Sequence, residues 1–538
     1  MIFIYPLNIF ANGVFIKMGG KRMSEYNKEV LLQRALVYIY LIVIFGVYPV
    51  ITTNKYYNIT ITKYNCFMWS SIIYSVLTIL IFLLVNINKK TISAENIRGY
   101  TKGRFYQRPE FWMEAFMLAN VFSYFVSIDK KASLMGAGVR YMGMVTYIVI
   151  AVVFLIIASI RICISEWIFM VFAASVVYGE LVAVLQHMGA DFMKYREGIL
   201  PKLYDIYIST FGNINIYASF LAMCLPVFAA LHIFSKSKVC IMISAIVLIL
   251  GGNSLMAANS DSGFLGVFAA LVMLFFIAVS DKRITGYIRT VFLIFCGILV
   301  QAVLNRIILD YDNKRGGVAG FLDKLPVTIG IFSALVLIMV SAAFAQNKLK
   351  EKKLCADGKR LAGFLARIMG IVLALFLITG KMTGLSIFNI DYRWGTYRGM
   401  IWHISLELFQ RASGVHRLFG YGNETLGILA KADYYDIMIN NTKRVYDNAH
   451  NELLQYLVTI GIIGLVAYIG LFVCCFVYIF KNAGKNAMAY ACLAAMTGYF
   501  IQSLINVNQP ITTPFLFIFM AMGINVVRNH NKGEIIDE

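Results

Sequence analysis

Apolar residues in this chain come in long runs separated by short polar stretches. A helix needs roughly 20 consecutive apolar residues to cross about 30 Å of hydrocarbon. Runs of that order lie at 31–52, 67–86, 111–128, 142–160, 167–189, 213–233, 239–257, 264–280, 290–306, 326–345, 362–380, 452–480, 486–506 and 512–527. They predict an all-α, polytopic integral membrane protein with about fourteen transmembrane helices. The runs at 111–128 and 264–280 are short for a span. The pattern divides the chain into a membrane region over 1–380 with about eleven spans, a long polar-apolar segment over 381–450, and a second membrane region over 451–538 with about three spans and a short tail. No repeat with a period of 20–50 residues is visible, and no soluble domain.

The polar stretches orient the chain. An even number of spans places both termini on one side, and Lys and Arg mark the cytoplasmic side. That side then receives Lys17, Lys21, Arg22 and Lys28, the loop with Lys89, Lys90, Arg98, Lys102, Arg104 and Arg108, and the loop with Lys348, Lys350, Lys352, Lys353, Lys359 and Arg360. The segment 381–450 falls outside. Its apolar patch Met400–Phe409 and its turn signal Gly420-Tyr421-Gly422-Asn423 predict helices lying on the outer membrane face. The stretch 190–212 is a shorter outer loop.

Composition agrees with the pattern. The 538 residues are 60% hydrophobic and 14% charged, against about 25% charged in a soluble domain. The net charge of +20 does not indicate nucleic acid, because the basic residues flank apolar runs and form no stripe with interleaved aromatics. The nine cysteines include no CxxC and no Cys/His spacing for zinc. The other histidines show no metal spacing, and no HExxH, DxD or glycine-rich nucleotide loop occurs, so no metal or cofactor is expected. Residues 1–20 lack a basic n-region and a small-residue cleavage site; Met18 and Met23 are alternative starts.

Candidate chemistry lies at the outer ends of the runs. In Asp447-Asn448-Ala449-His450-Asn451, a polar lead-in meets the apolar run 452–480. Asp447 or Asn448 as N-cap would place His450 in the first helical turn. The free N–H groups and dipole there disfavour imidazolium and attract anions. A neutral imidazole beside an anion site suits a general base near a phosphate; a histidine that only hydrogen-bonds at the membrane edge is the plainer reading. Arg393 and Arg398, with Trp402 following, offer planar cationic forks that match phosphate oxygens, or that contact lipid headgroups beside an aromatic belt. Asn213 and Asn215 enter a span from outside, as sugar-binding groups or as a cap and an interhelical contact. Asp261 sits between two runs, either facing a cavity or in a solvated turn; Glu114 and Glu180 are further acids at membrane depth with no evident partner.

Three motifs, in order, resemble the O-antigen ligase / O-antigen polymerase (Wzy-type) superfamily of bacterial membrane proteins. Thr210-Phe211-Gly212-Asn213-Ile214-Asn215 is similar to that family's TFGNPN element. Arg398-Gly-Met-Ile-Trp402 with Phe419-Gly420-Tyr421-Gly422 is similar to its R-x-x-x-W … G-x-G segment. His450-Asn451-Glu452-Leu453-Leu454 with Gly461-Ile-Ile-Gly464 is similar to its H-N-x-x-L … G-x-x-G element, the most specific of the three. The resemblance covers roughly residues 205–480. It implies a metal-independent, GT-C-like glycosyltransferase in the bacterial cytoplasmic membrane with its active site on the outer face. Such an enzyme takes a glycan from an undecaprenyl-pyrophosphate carrier and passes it to an acceptor hydroxyl of a glycan or lipid. His450 matches the base and Arg398 a pyrophosphate-binding arginine, with Arg393 added by proximity and Asn451, Trp402, Asn213, Asn215 and Asp261 as further substrate-binding candidates. One departure is Ser260-Asp261-Ser262-Gly263, which stands where many members carry a Ser-Arg pair. An extra apolar run before the long segment is another. The expected partners are the lipid-linked glycan, its acceptor and membrane lipids, with no nucleic acid; polymerase, ligase and the oligomeric state are not separated. A lipid-linked oligosaccharide flippase and a protein O-oligosaccharyltransferase are the alternatives. The flippase would show two related halves and a charged central cavity.

Overall fold

Side-chain caps decide where several helices start. Asn213 accepts from the N–H groups of Asn215 and Ile216, Ser237 from Cys240, and Asn486 from Met488 and Ala489. Each supplies partners that the first helical turn lacks. The computed structural model describes residues 25–88, 104–138, 140–307, 316–352, 358–382 and 390–530. The first twenty residues, most of the basic loop 89–103, Cys355 and residues 383–389 of the long outer segment lie outside the described residues.

The helices run α1 (Glu25–Ile42, continued by a π-helical turn Val43–Val47), α2 (Ile59–Asn88), α3 (Pro109–Phe125), α4 (Lys130–Met135), α5 (Met144–Ser159), α6 (Ile168–His187), α7 (Ile214–Phe234), α8 (Lys238–Ala258), α9 (Asp261–Ser280), α10 (Ile284–Ile307), α11 (Gly317–Leu322), α12 (Leu325–Lys352) and α13 (Gly358–Met382). They continue as α14 (Trp394–Arg411), α15 (Gly414–Phe419), α16 (Leu426–Thr442), α17 (Glu452–Thr459), α18 (Gly461–Asn482), α19 (Ala487–Ser503) and α20 (Thr513–His530). No strand forms among the described residues. The apolar runs are helical, and among the described residues 8 helices are long and apolar enough to cross a membrane, with further shorter apolar helices, against the roughly fourteen spans expected. The run 452–480 is a correction. It breaks after Thr459, with Gly461 at φ +70°, into the short α17 and the spanning α18. Hydrophobicity is continuous across this break, so the run alone conceals it.

Helix α7 is the centre of the membrane domain, with most of its residues buried. Small residues let α9 and α19 close onto it. A Cβ on Gly498 would stand 1.8 Å from the Ala222 carbonyl oxygen, so only glycine permits this backbone approach. Such small-residue contacts are how membrane helices associate where burial from water supplies no drive.

Bonds between distant segments identify the two ends of the helix array. At one end Arg140 pairs with Asp447, Asp261 accepts from Val318 N, and Asn506 donates to Asn215 O. At the other, Arg528 pairs with Glu110 and Tyr490 donates to Asp281. The 20 residues of α9 join them, a rise of about 30 Å. Beside the first end, the segment from Trp394 to Thr459 packs a small core of its own. Met400, Ile401, Ile404 and Leu408 of α14 meet Leu426, Ala430 and Met438 of α16 and Val458 of α17.

Candidate functional site

Local polar chemistry shapes the stretch before α17. Asn448 Oδ1 accepts from His450 N at 2.7 Å, and Asn451 Oδ1 accepts from Leu454 N at 3.1 Å. Ala449 N donates to Gln455 Oε1 at 3.0 Å. The N-cap is therefore Asn451, and neither Asp447 nor Asn448. His450 precedes the helix and sits at φ +48°, so the expected place in its first turn is corrected. Asn448 bonds two residues ahead and makes a turn, while Asn451 bonds three ahead and makes a cap.

The His450 ring is half-buried, with the Tyr446 ring edge-on at 5.9 Å. Its Nδ1 is enclosed and has no hydrogen-bond partner among the described residues. Burial first, then the positive charges of Arg398 and Arg140, pull its pKa down to about 3, with Asp447 acting weakly the other way. The imidazole is thus neutral at physiological pH. What disfavours the imidazolium here is burial beside two arginines, where the sequence points to a helix dipole.

Arg398 follows a backbone kink. Gly395, Thr396 and Tyr397 all have positive φ, at +58°, +62° and +69°. For Thr396 and Tyr397 this conformation costs roughly 1–2 kcal/mol each. The kink brings the Gly395 carbonyl to Arg398 Nη1 at 3.2 Å, and Nε has no partner among the described residues. Burial lowers the Arg398 pKa, while Tyr446 and Asp261 act to raise it. A guanidinium stays charged throughout.

The other residues named from the sequence divide. Asp261 opens α9, is exposed, and lies close enough to Arg398 to act on it, so an acid stands beside this cation where the family pattern has an arginine. Trp402 packs against Trp394 at 5.0 Å, with a buried Nε1 lacking a partner among the described residues. Asn451 is the cap of α17. Asn213 caps α7, and Asn215 Oδ1 accepts from Ser260 Oγ at 3.1 Å, which ties α7 to the start of α9. Arg393 is exposed, and its N–H donates to Asp391.

Sequence reasoning missed Arg140, Glu424 and Glu452. Arg140 reaches Asp447, 307 residues away in the chain, through Nε at 3.2 Å and also through Nη2, which brings a second arginine to His450. No local pattern marks it. Glu424 is buried, and burial pushes its carboxyl up to about 7 against the pull of Arg140. Glu452, inside the His-Asn motif, is fully buried. It accepts from Tyr456 at 2.9 Å, Tyr468 at 3.1 Å and Tyr499 at 3.4 Å. These hydroxyls come from α17, α18 and α19, so the carboxyl locks α17, the helix that follows His450, to α18 and α19.

The G-x-G motif has a clear structural role. Tyr421 N donates to Val458 O at 3.0 Å and Gly422 N to Thr459 O at 2.9 Å, which fastens the outer segment to the end of α17. Gly422 has φ +105°, and a Cβ there would lie 2.1 Å from the Ser127 and Ser133 hydroxyls, so no side chain fits.

Arg398 and Asp261 also line a cavity of about 710 Å³ that is otherwise largely apolar, walled by Phe264, Phe268, Leu271 and Ile298 among others. A charged rim on an apolar chamber suits an amphiphile with an anionic head and a hydrocarbon tail. Among the described residues, no group of three His, Cys, Asp or Glu side chains is placed to hold a metal ion. Fold and site together define a polytopic, all-helical membrane protein with an arginine- and histidine-bearing site at one end of its helices. Residues 327–469 match the family model for O-antigen ligase, which makes this part of the chain similar to that family. The match contains Arg398, Trp402 and His450, and supports a role in surface polysaccharide assembly by a glycan-transfer enzyme. No curated protein matches the chain.

Proposed function

We propose that the protein is a glycosyltransferase of the ligase or polymerase type, working at the outer face of the bacterial cytoplasmic membrane with both termini cytoplasmic. The donor is a glycan on undecaprenyl pyrophosphate, and the acceptor is a hydroxyl of a growing surface polysaccharide or of a lipid. The observation that carries this reading is a neutral, enclosed His450 with a free Nδ1, acted on by Arg398, which also rims an apolar cavity.

The acceptor O–H gives its proton to His450 as its oxygen attacks the anomeric carbon of the donor sugar. The C–O bond to the pyrophosphate breaks, its electron pair leaves on the phosphate oxygen, and Arg398 and Arg140 stabilise that charge. Direct displacement inverts the anomeric centre. In the free protein burial, with the two arginines adding to it, holds His450 a weak base. A bound pyrophosphate neutralises them and raises imidazole basicity, so the base gains strength only when the donor is in place. The prenyl chain lies in the apolar cavity below Arg398. Arg393, exposed, contributes at most to initial capture.

Purified protein given the lipid-linked glycan and acceptor tests this reading, with lipid analysis of a deletion strain beside it. Transfer with inversion is expected. Shortened chains in the strain assign a polymerase, and free polymer with lost attachment assigns a ligase. No transfer in vitro and an unchanged polysaccharide in the strain would overturn the reading.

A further inference from the structure

A second built cavity lies at the other end of the membrane domain. Between α9, α13, α18 and α19 is a chamber of about 900 Å³, with Met273, Phe276, Phe476 and Phe480 as apolar walls. Lys481 and Lys485 stand on its polar rim beside Asp281, whose Oδ2 accepts from Tyr490 Oη at 2.8 Å. Both lysines are exposed, and neither has an ion pair among the described residues. Met273 and Phe476 are also walls of a second chamber of about 300 Å³, which continues along α18 and α19 past Phe472, Thr497 and Phe500 and is almost wholly apolar. The rings of Phe472 and Phe500 stack at 4.2 Å along this trough.

This slot is cationic at the membrane edge and oily inward, and it sits at the end of α9 remote from Asp261 and Arg398, about 30 Å away. It is therefore separate from the cavity beside Arg398. A free phosphate would have no use for the trough, and a neutral lipid none for the lysines; charge and apolar length together select one occupant. We propose that this slot binds an anionic glycerophospholipid of the leaflet opposite the catalytic face, its phosphate on Lys481 and Lys485 and one acyl chain along Phe476, Phe472 and Phe500. Bound there, the lipid joins α9, α13 and α18.

The test is lipid retention by the purified full-length chain in mild detergent, read by native mass spectrometry; it needs no glycan substrate. Dioleoylphosphatidylglycerol, dioleoylphosphatidylcholine and glycerol 1-phosphate are compared. The parent retains the anionic lipid about tenfold better than the zwitterionic one, as expected for a pair of lysines at a headgroup. Lys481→Gln with Lys485→Gln retains both lipids equally, and since both positions are exposed its folding matches the parent. Thr497→Trp fills the trough and lowers retention of both lipids. Equal retention by the parent, or an unaltered preference in the double glutamine variant, overturns the proposal. Displacement of the anionic lipid by equimolar glycerol 1-phosphate overturns it too, in favour of a soluble phosphate site.

Discussion

Replacing His450 with glycine separates the chemical role of the side chain from the conformation of its backbone. The residue stands at φ +48°, where a side chain costs about 1–2 kcal/mol and glycine almost nothing. Glycine in turn loses roughly 0.5–1 kcal/mol through the greater freedom of the unfolded chain. The main-chain bond from His450 N to Asn448 Oδ1 survives the change, because it uses no side-chain atom. Stability of the variant is therefore expected within about 1 kcal/mol of the parent, with alanine the less stable of the two replacements. Transfer should behave otherwise. Loss of a positioned base lowers rate by about 10²–10⁴-fold, or roughly 2.7–5.4 kcal/mol of barrier. The assay is glycan transfer by purified His450→Gly and His450→Ala proteins, with carrier affinity and thermal unfolding in parallel. Near-parental transfer by either variant refutes the base role. Transfer and carrier binding lost in the same proportion would make His450 a ligand of the pyrophosphate. The pH profile adds a check, made in a Glu424→Gln background because burial pushes Glu424 up to about 7, and repeated with Glu452→Gln because burial pushes that carboxyl up to about 7 as well. A base works only when unprotonated, so rate falls on the acid side of its pKa. With His450 at about 3 in the free protein, kcat/KM stays level down through the usual imidazole range near ~6.5.

Arg398→Lys keeps the charge but loses the planar fork, and transfer should fall at least about tenfold; full turnover would leave Arg398 only long-range electrostatics. Arg140→Ala removes one of the two charges that depress His450 and leaves Asp447 without its ion pair, so the His450 titration measured by NMR should move up and transfer should fall; an unmoved titration refutes the assigned proximity. Glu452→Ala strands buried tyrosine hydroxyls of three helices and should cost about 3–5 kcal/mol, read as a lower unfolding temperature; an unchanged midpoint would mean the carboxyl locks nothing. A cysteine at exposed Lys431 should react with an impermeant reagent on intact cells and one at exposed Lys236 should not, and the reverse pattern would sink the orientation.

The fold class was legible in the sequence because a membrane helix is written in its own composition. About twenty apolar residues must be helical in hydrocarbon whatever their neighbours do. Thus the apolar runs became helical without any knowledge of packing, 452–480 as two helices and not one. The same local logic made Asn213 readable as a cap and picked out Arg398 and His450 through their motifs. It failed where the competition was also local but too fine to score: Asn448 and Asn451 both suit an N-cap, and only the backbone geometry assigns the turn to one and the cap to the other. The break between Thr459 and Gly461 was hidden for a related reason. Hydrophobicity does not record a change of direction, and the turn is held by Tyr421 and Gly422 from a different segment. What tertiary structure alone decided is the electrostatic identity of the site. Arg140 lies 307 residues from Asp447 and comes near His450 because the segment from α3 to α4 is bonded to the loop at Asn423. Glu452 reads as one acid in an apolar run until tyrosines from α17, α18 and α19 converge on it. The charge on a histidine and the partner of a buried acid depend on distance in space, and distance along the chain carries almost none of that information.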